Sequence, residues 1–332
     1  MKIIDLHSDT ILGMKMKGVE DFENNDFMID LTKLKSGESY VQALGFFDFK
    51  PMSNYDYEKF KENEAFASKM FEKYSDQVVI VKSASEIKKY EDSGKQMFML
   101  TKEDIGCING SLDILKAEYD YGFRIMSLTW NFENCVAYGN TTDVPEGETD
   151  SAKFPHMNDG LKPFGKEAVE YMNELGIIID CSHLSDGGFW DLIDICKGPF
   201  IASHSNCREV CGHVRNLTDE MIKALADKGG VSGLNFCPEF IDEKNGSTID
   251  GMIRHLQHFL NVGGEDILAC GTDSDGIGGP LEIPDFSHMQ ELIMAMEKAG
   301  FTERQIEKFG YKNDHQVPKL VKVVFSIKQY IL

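Results

Sequence analysis

The chain of 332 residues has no apolar run long enough to span a bilayer, which excludes a transmembrane helix. It also lacks any surplus of positive charge: 34 Lys and Arg stand against 55 Asp and Glu, for a formal net charge of −21. Nucleic acid and anionic membrane surfaces both require a positive footprint, so neither is expected as a partner. An anionic ligand would have to be drawn in by local cations, either metal ions or a placed arginine. The eight cysteines are scattered and form no paired Cys-x-x-Cys knuckles, so neither a disulfide framework nor a structural zinc site is expected. Cys207 and Cys211 read as structural. No apolar leader or small-residue cleavage site separates Met1-Lys2 from the strand-like Ile3-Ile4, which predicts a cytoplasmic protein. No short-period repeat and no linker divide the chain, so residues 1–332 are expected to form one domain. The 42% hydrophobic content is enough for a sizeable core and argues against disorder.

What the chain does contain is an alternation of strand-like and helix-like segments. Predicted strands are Lys2–Leu6, Val41–Phe49, Met97–Leu100, Arg124–Thr129, Ile177–Cys181, Phe200–Ala202, Gly230–Phe236 and Ile267–Gly271. Predicted helices are Asn54–Tyr74, Leu112–Tyr121, Leu161–Leu175, Asp186–Ile195, Thr218–Lys228, Thr248–Val262 and His288–Ala299. Thr218-Asp219-Glu220 and Thr302-Glu303-Arg304 carry helix-start signals, a capping hydroxyl followed by acids. This rhythm implies βα units and a parallel sheet. Eight strands predict closure into an α/β fold of the (β/α)8 TIM-barrel type, with an open doubly wound sheet as the alternative. Gly139–Asn158 and Gly276–Phe286 are Gly/Pro-rich and polar and read as rim loops, the first a candidate lid. The segment from Thr302 to Leu332 is expected to be a helical tail packed outside the barrel.

The strand ends carry the chemistry. Asp5-Leu6-His7-Ser8-Asp9 follows the first apolar pair, and His7 and Asp9, two apart, share a strand face. The next candidates are Glu103 after Met97–Leu100, His183 in Asp180-Cys181-Ser182-His183, His204 in Ser203-His204-Ser205-Asn206, and Asp273 in Gly271-Thr272-Asp273-Ser274-Asp275-Gly276. In a barrel these ends meet on one rim, where active sites of that fold are built. Three histidines and three carboxylates exceed what one zinc needs. The set divides into two metal sites sharing a bridging carboxylate, with a hydroxide held between the metals to attack a carbonyl and Asp273 free to shuttle a proton. His156, His213, His255, His258, His288 and His315 read as core or capping histidines.

These pieces, together with Leu128-Thr129-Trp130-Asn131, Val214-Arg215-Asn216-Leu217 and Gly233-Leu234-Asn235-Phe236, resemble in order the membrane (renal) dipeptidase family of metallopeptidases, one of the amidohydrolase-like barrels. The resemblance spans nearly the whole chain. It implies that His7 and Asp9 bind one Zn2+ and His183 and His204 another, with Glu103 bridging. It further implies that Asp273 is the acid/base and that Arg215 grips the free carboxylate of a small dipeptide. Two departures stand out. Trp130 occupies a position where relatives often have an oxyanion-stabilising histidine, so that role would pass to Asn131 or to zinc, or be missing. Cys237 stands where the family often has tyrosine. The resemblance implies hydrolysis of dipeptides with tolerance for a C-terminal D-residue, and family members are often homodimers. The alternatives are another amidohydrolase reaction on the same metals (a deacylase, lactonase or deaminase) or a catalytically inactive barrel used for binding.

Overall fold

The computed structural model describes residues 1–47, 57–141 and 154–311. Its strands are β1 (Ile3–Asp5), β2 (Ser39–Phe46), β3 (Val78–Ile80), β4 (Gln96–Lys102), β5 (Ile125–Ser127), β6 (Ile178–Asp180), β7 (Ser232–Leu234) and β8 (Leu268–Cys270). All pairings between them are parallel, in the order β6-β5-β4-β2-β1-β8-β7, with β3 on the outer end of β4 beside β5. Residues 200–202 close the ring. Ile201 bridges Asp180 on β6, and Ala202 bridges Ser232 on β7. The backbone bonds Cys181 N–H to Ile201 O (2.8 Å) and Ala202 N–H to Val231 O (2.9 Å) complete that seam. The ring thus has eight members: β1, β2, β4, β5, β6, residues 200–202, β7 and β8.

The strands are buried on both faces, as parallel strands sheathed by helices must be. Two apolar clusters account for this. The larger lies between the sheet and its helices. The smaller takes Ile4, Val41, Met97, Ile125, Ile178, Ile201 and Ala269 from seven members of the ring, and Val231 from just before β7. Only side chains pointing inward can meet in this way, so the barrel interior is a packed core rather than a pore. Tyr311 seals its lower end, pairing with Lys2 and stacking on Tyr40 at 3.9 Å.

The eight ring strands coincide with the predicted ones; β1, β5, β6, β7 and β8 have tighter ends, while β4 extends beyond its predicted span at both ends and β2 begins two residues earlier. β2 stops at Phe46 rather than Phe49, and residues 48 and 49 lie outside the described residues. The segment 200–202 pairs through single bridges only. β3 was not anticipated: its three residues, Val78-Val79-Ile80, pair only with the start of β4. Leu112–Tyr121 and Asp186–Ile195 are helices with the predicted bounds. Thr218 and Thr302 are side-chain caps, the latter in a reciprocal capping box with Gln305. Four shorter helices escaped the sequence reading: Thr10–Lys17, Leu31–Ser36, Ala84–Tyr90 and Pro238–Ile241. Of the expected tail, Glu303–Phe309 is helical, while residues 312–332 and His315 lie outside the described residues, as does most of the candidate lid (142–153). The eight cysteines are free thiols. Among the described residues no helix is long and apolar enough to cross a membrane.

Candidate metal centre

The ring order brings six predicted side chains to one rim. His7 and Asp9 follow β1, Glu103 follows β4, His183 follows β6, His204 follows residues 200–202, and Asp273 follows β8. Glu103 N–H donates to Phe46 O (3.0 Å), which extends the β2–β4 ladder one residue and sets the carboxylate at the strand mouth. Three overlapping groups have donor atoms close enough to share a cation: His7, Asp9 and Glu103; Glu103, His183 and His204; His7, His204 and Asp273.

Glu103 sits between the two halves. Its Oε2 faces His7 Nε2 at 3.6 Å, and His7 Nε2 lies 3.5 Å from Asp9 Oδ2. Its Oε1 faces His183 Nε2 at 2.9 Å and His204 Nε2 at 3.6 Å. His7 and His204 stack at 4.0 Å.

The tautomers follow from the neighbours. His183 Nδ1–H donates to Asn131 Oδ1 (2.6 Å). Ser203 Oγ donates to Asp180 Oδ2 (2.6 Å), so it accepts from His204 Nδ1–H (2.7 Å). Both Nε2 lone pairs therefore point toward Glu103 Oε1, and the two Nε2 atoms lie 3.0 Å apart. Three lone pairs converging in this way repel unless a cation stands among them. The buried His7 Nε2 and Asp9 Oδ1 have no hydrogen-bond partner, an expensive state for polar atoms away from water. Borderline nitrogen donors mixed with carboxylate oxygens suit a divalent transition metal, so the residues present fit the metal that the sequence leads one to expect.

Electrostatics agree. Burial, reinforced by the His7 and Arg215 charges, holds His183 and His204 well below the ordinary imidazole range, in the neutral state a ligand needs. Burial also pushes Glu103 well up, and the neighbouring Asp9 and Asp273 add to the push. His7 goes the other way: burial disfavours its charge, yet Glu103 and Asp9 outweigh burial and lift it to about 10. Without a metal, a proton on His7 is thus the positive charge this acidic cluster attracts. Burial lifts Asp273 to about 6, against the opposing pull of the His7 charge.

A layer of polar residues underneath holds the ligands, and the sequence reading did not single it out. Asp180 accepts from Ser127 Oγ, Ser182 N–H and Ser203 N–H as well as Ser203 Oγ. Asp5 accepts from Thr272 N–H, Thr272 Oγ1 and Gln42 Nε2. Asn235 Nδ2 donates to Asp273 Oδ2 at 2.8 Å and to His204 O at 3.2 Å. The signal for Asp5 and Asp180 was in plain sight: an acid two residues before His7 and three before His183, at strand ends with no water to solvate it. His183, Asp273, Asp275 and Asp104 adopt positive φ (60° to 69°). Such backbone costs on the order of 1–3 kcal/mol per residue and collects where function demands a particular side-chain aim.

The rim opens into a cavity of about 950 Å³ lined by Asp9, Glu103, His183 and Asp273 among others. Arg215 lines it too, not as a surface helix-start arginine but 4% exposed, over the Phe240 ring at 5.4 Å. Its Nη atoms donate to Ser205 Oγ and His204 O at 3.3 Å, and its buried Nε has no partner. Trp130 and Asn131 also line the cavity. Trp130 packs on Phe47 (5.0 Å) and lies 6.0 Å from His183. The Oδ1 of Asn131 is engaged by His183, so its first task is to orient that imidazole. Cys237 lines the opposite wall, its thiol pushed up to about 12 by burial. Of the bystander histidines, His255 is a core residue, His156, His258 and His288 each pair with a nearby carboxylate, and His213 accepts from Arg215 N–H.

A family model described as membrane dipeptidase (peptidase family M19) matches residues 1–328. The chain is 32% identical over 330 residues to an uncharacterized dipeptidase of Schizosaccharomyces pombe, covering 92% of this chain and 77% of that one. It is 26% identical over 266 residues to the dipeptidase tcpJ of Claviceps purpurea, covering 80% of this chain and 60% of that one. Among solved structures, a metallopeptidase from Rhodobacter sphaeroides superposes with a TM-score of 0.84 at 23% identity, over 98% of both chains. The probable dipeptidase PvdM from Pseudomonas aeruginosa does so with a TM-score of 0.85 at 17% identity, over 99% of this chain and 96% of that one. At these identities the structural likeness speaks for the fold.

Proposed function

The chain belongs to the membrane dipeptidase family of metallopeptidases and is a metallo-dipeptidase; from that premise we propose that it cleaves dipeptides by reading both of their termini over two zinc ions. His7 and Asp9 would hold one ion and His183 and His204 the other, with Glu103 placed to serve both. The observation that carries this reading is Glu103 itself, whose two oxygens face two separate donor sets at 2.9–3.6 Å. Zinc bound there supplies Lewis acidity toward the scissile carbonyl and water activated near neutral pH.

The chain's own groups do the rest. Asp273 is the one carboxylate of the cluster also held by a neutral amide, Asn235, and it takes the proton of the attacking water and delivers it to the leaving amine. Arg215 offers a buried guanidinium with an unpartnered Nε, suited to a substrate carboxylate through a bidentate pair. Asn131 keeps His183 in the ligand tautomer. Trp130 forms part of the substrate wall. A C-terminal D-residue belongs to the reading: the R. sphaeroides metallopeptidase is liganded with a phosphinate mimic of the dipeptide L-Ala-D-Ala.

The test is amino-acid release from Gly-D-Ala, L-Ala-D-Ala and their L,L counterparts by metal-stripped protein with and without zinc. Zinc-dependent release that vanishes for N-acetylated versions and falls sharply, to a still measurable level, for C-amidated ones is the expected result. Release from the N-acetylated forms would instead indicate a deacylase on the same metals. Arg215→Met should lower kcat/KM on dipeptides about a hundredfold, since it deletes a buried charged partner, while C-amidated analogues lose far less. Equal losses on both would remove the carboxylate role from Arg215.

A further inference from the structure

We infer that the rim opposite Arg215 is a side-chain pocket that makes this enzyme favour dipeptides with a large apolar, above all aromatic, N-terminal residue. The inference rests on the dipeptidase reading and deepens it. Around the eight-membered ring, β4 is third and β7 is seventh, so their C-terminal ends lie across the mouth from one another. Arg215, hydrogen-bonded to the end of strand 200–202, and Cys237, just after β7, stand on one side. Phe47, just after β2, and Trp130, just after β5, stand on the other and flank Glu103. A substrate whose carboxylate sits at Arg215 and whose peptide bond lies over Glu103 must direct its N-terminal residue to the Phe47–Trp130 side.

That side is built for an apolar side chain. Trp130 tilts against Phe47 at 5.0 Å, and Phe132, 44% exposed, meets Trp130 edge-on at 5.3 Å. Leu12 and Met16, on the helix that follows β1 beside β2, line the same cavity together with Met28, and Met16 is 68% exposed. Aromatic rings and thioethers are the partners a substrate ring packs on best. The volume points the same way. At about 950 Å³ the cavity lies near the top of the roughly 300–1,000 Å³ range for small-molecule sites, far more than two glycines or alanines fill.

The experiment compares kcat/KM for Gly-Ala, Ala-Ala, Leu-Ala and Phe-Ala on the zinc-loaded full-length enzyme, then repeats it with Trp130→Leu, Phe47→Ala and Met28→Ala. The wild type should favour Phe-Ala over Gly-Ala by at least about tenfold, as desolvating one large apolar side chain predicts. In the Trp130 and Phe47 variants that ratio, read independently of absolute rate, should fall toward one. Hydrolysis of all four substrates at equal kcat/KM would overturn the pocket and leave the dipeptidase reading intact. A preference that survives both aromatic substitutions would also overturn it. No hydrolysis of any of the four would overturn the dipeptidase reading itself, and the pocket with it.

Discussion

At the scale of single residues, the centre depends on groups that touch no substrate. Asn235 donates to Asp273 and to the backbone of His204, and its own Oδ1 accepts from Cys237 N–H. Asn235→Ala would leave Asp273 free to turn away from the reacting atoms. We expect kcat to fall by about 10–100-fold, part of the range that general acid–base catalysis contributes, with KM changing much less. Steady-state kinetics on one good dipeptide would check this, and a fall confined to KM would contradict it. Asn131→Ala removes the acceptor for His183 Nδ1–H. Zinc affinity, read by competition with a chromogenic chelator, should weaken about 10–100-fold, the usual cost of losing an outer hydrogen bond to a ligand histidine. His7, Asp9, Glu103, His183, His204 and Asp273 could all be found in the sequence, because metal ligands and acids at strand ends are recognisable by type. Asn131 and Asn235 were not given these roles, since an asparagine's partner depends on which neighbour the barrel puts beside it.

At the scale of elements, loops and helices hold that constellation under steric limits. A Cβ at Gly276 would meet Asp9 Oδ2 at 2.0 Å and Asp273 Oδ1 at 2.7 Å. Gly276→Ala should therefore displace two carboxylates while the barrel stays folded. Zinc content and activity should both drop sharply with an unchanged circular dichroism spectrum. Full activity in that variant would show the loop yields more easily than the contacts imply. Helix Ile249–Gly263 carries His255, fully buried, whose Nε2–H donates to Ile241 O (3.0 Å) and whose Nδ1 accepts from Cys207 N–H (3.2 Å). This histidine ties three segments together only while neutral, and burial depresses its pKa from 6.5 to about 4. A lowered pKa means that the unfolded chain takes up the proton first. The stabilisation is complete above pH 6.5 and is lost as the pH falls through about 4, amounting to about 3 kcal/mol. Urea midpoints should decline over that window in the wild type and less steeply in His255→Gln. The helices that were missed, such as Thr10–Lys17 and Leu31–Ser36, are short, and the first begins directly after the site motif, with Asp9 at its N-cap. Their residues look like loop until packing against the sheet selects a helix.

At the scale of the whole molecule, an acidic protein concentrates Asp9, Glu103 and Asp273 beside three histidines at one mouth. Metal bound there favours the folded state by mass action, about 2.7 kcal/mol for metal at a hundred times its dissociation constant. Removing the metal should lower Tm by several degrees, and zinc should restore it while magnesium, which prefers all-oxygen sites, should not. Differential scanning calorimetry of stripped and reloaded protein would measure this. An unchanged Tm would argue against tight metal binding at this rim.

The sequence by itself determined the alternation of strands and helices that makes a parallel sheet, and the side chains offered as donors at the strand ends. Strand and helix periodicities are local, and a ligand's chemistry travels with its side chain. Tertiary structure decided the rest. Ring closure through the single bridges at residues 200–202 puts Arg215 and the Phe47–Trp130 wall on opposite sides of one mouth. All three histidines are buried, and the Glu103 and Asp9 charges facing His7 separate this charge-attracting imidazole from the neutral His183 and His204. These are properties of distance and dielectric, and no spacing along a chain encodes them until the strands meet.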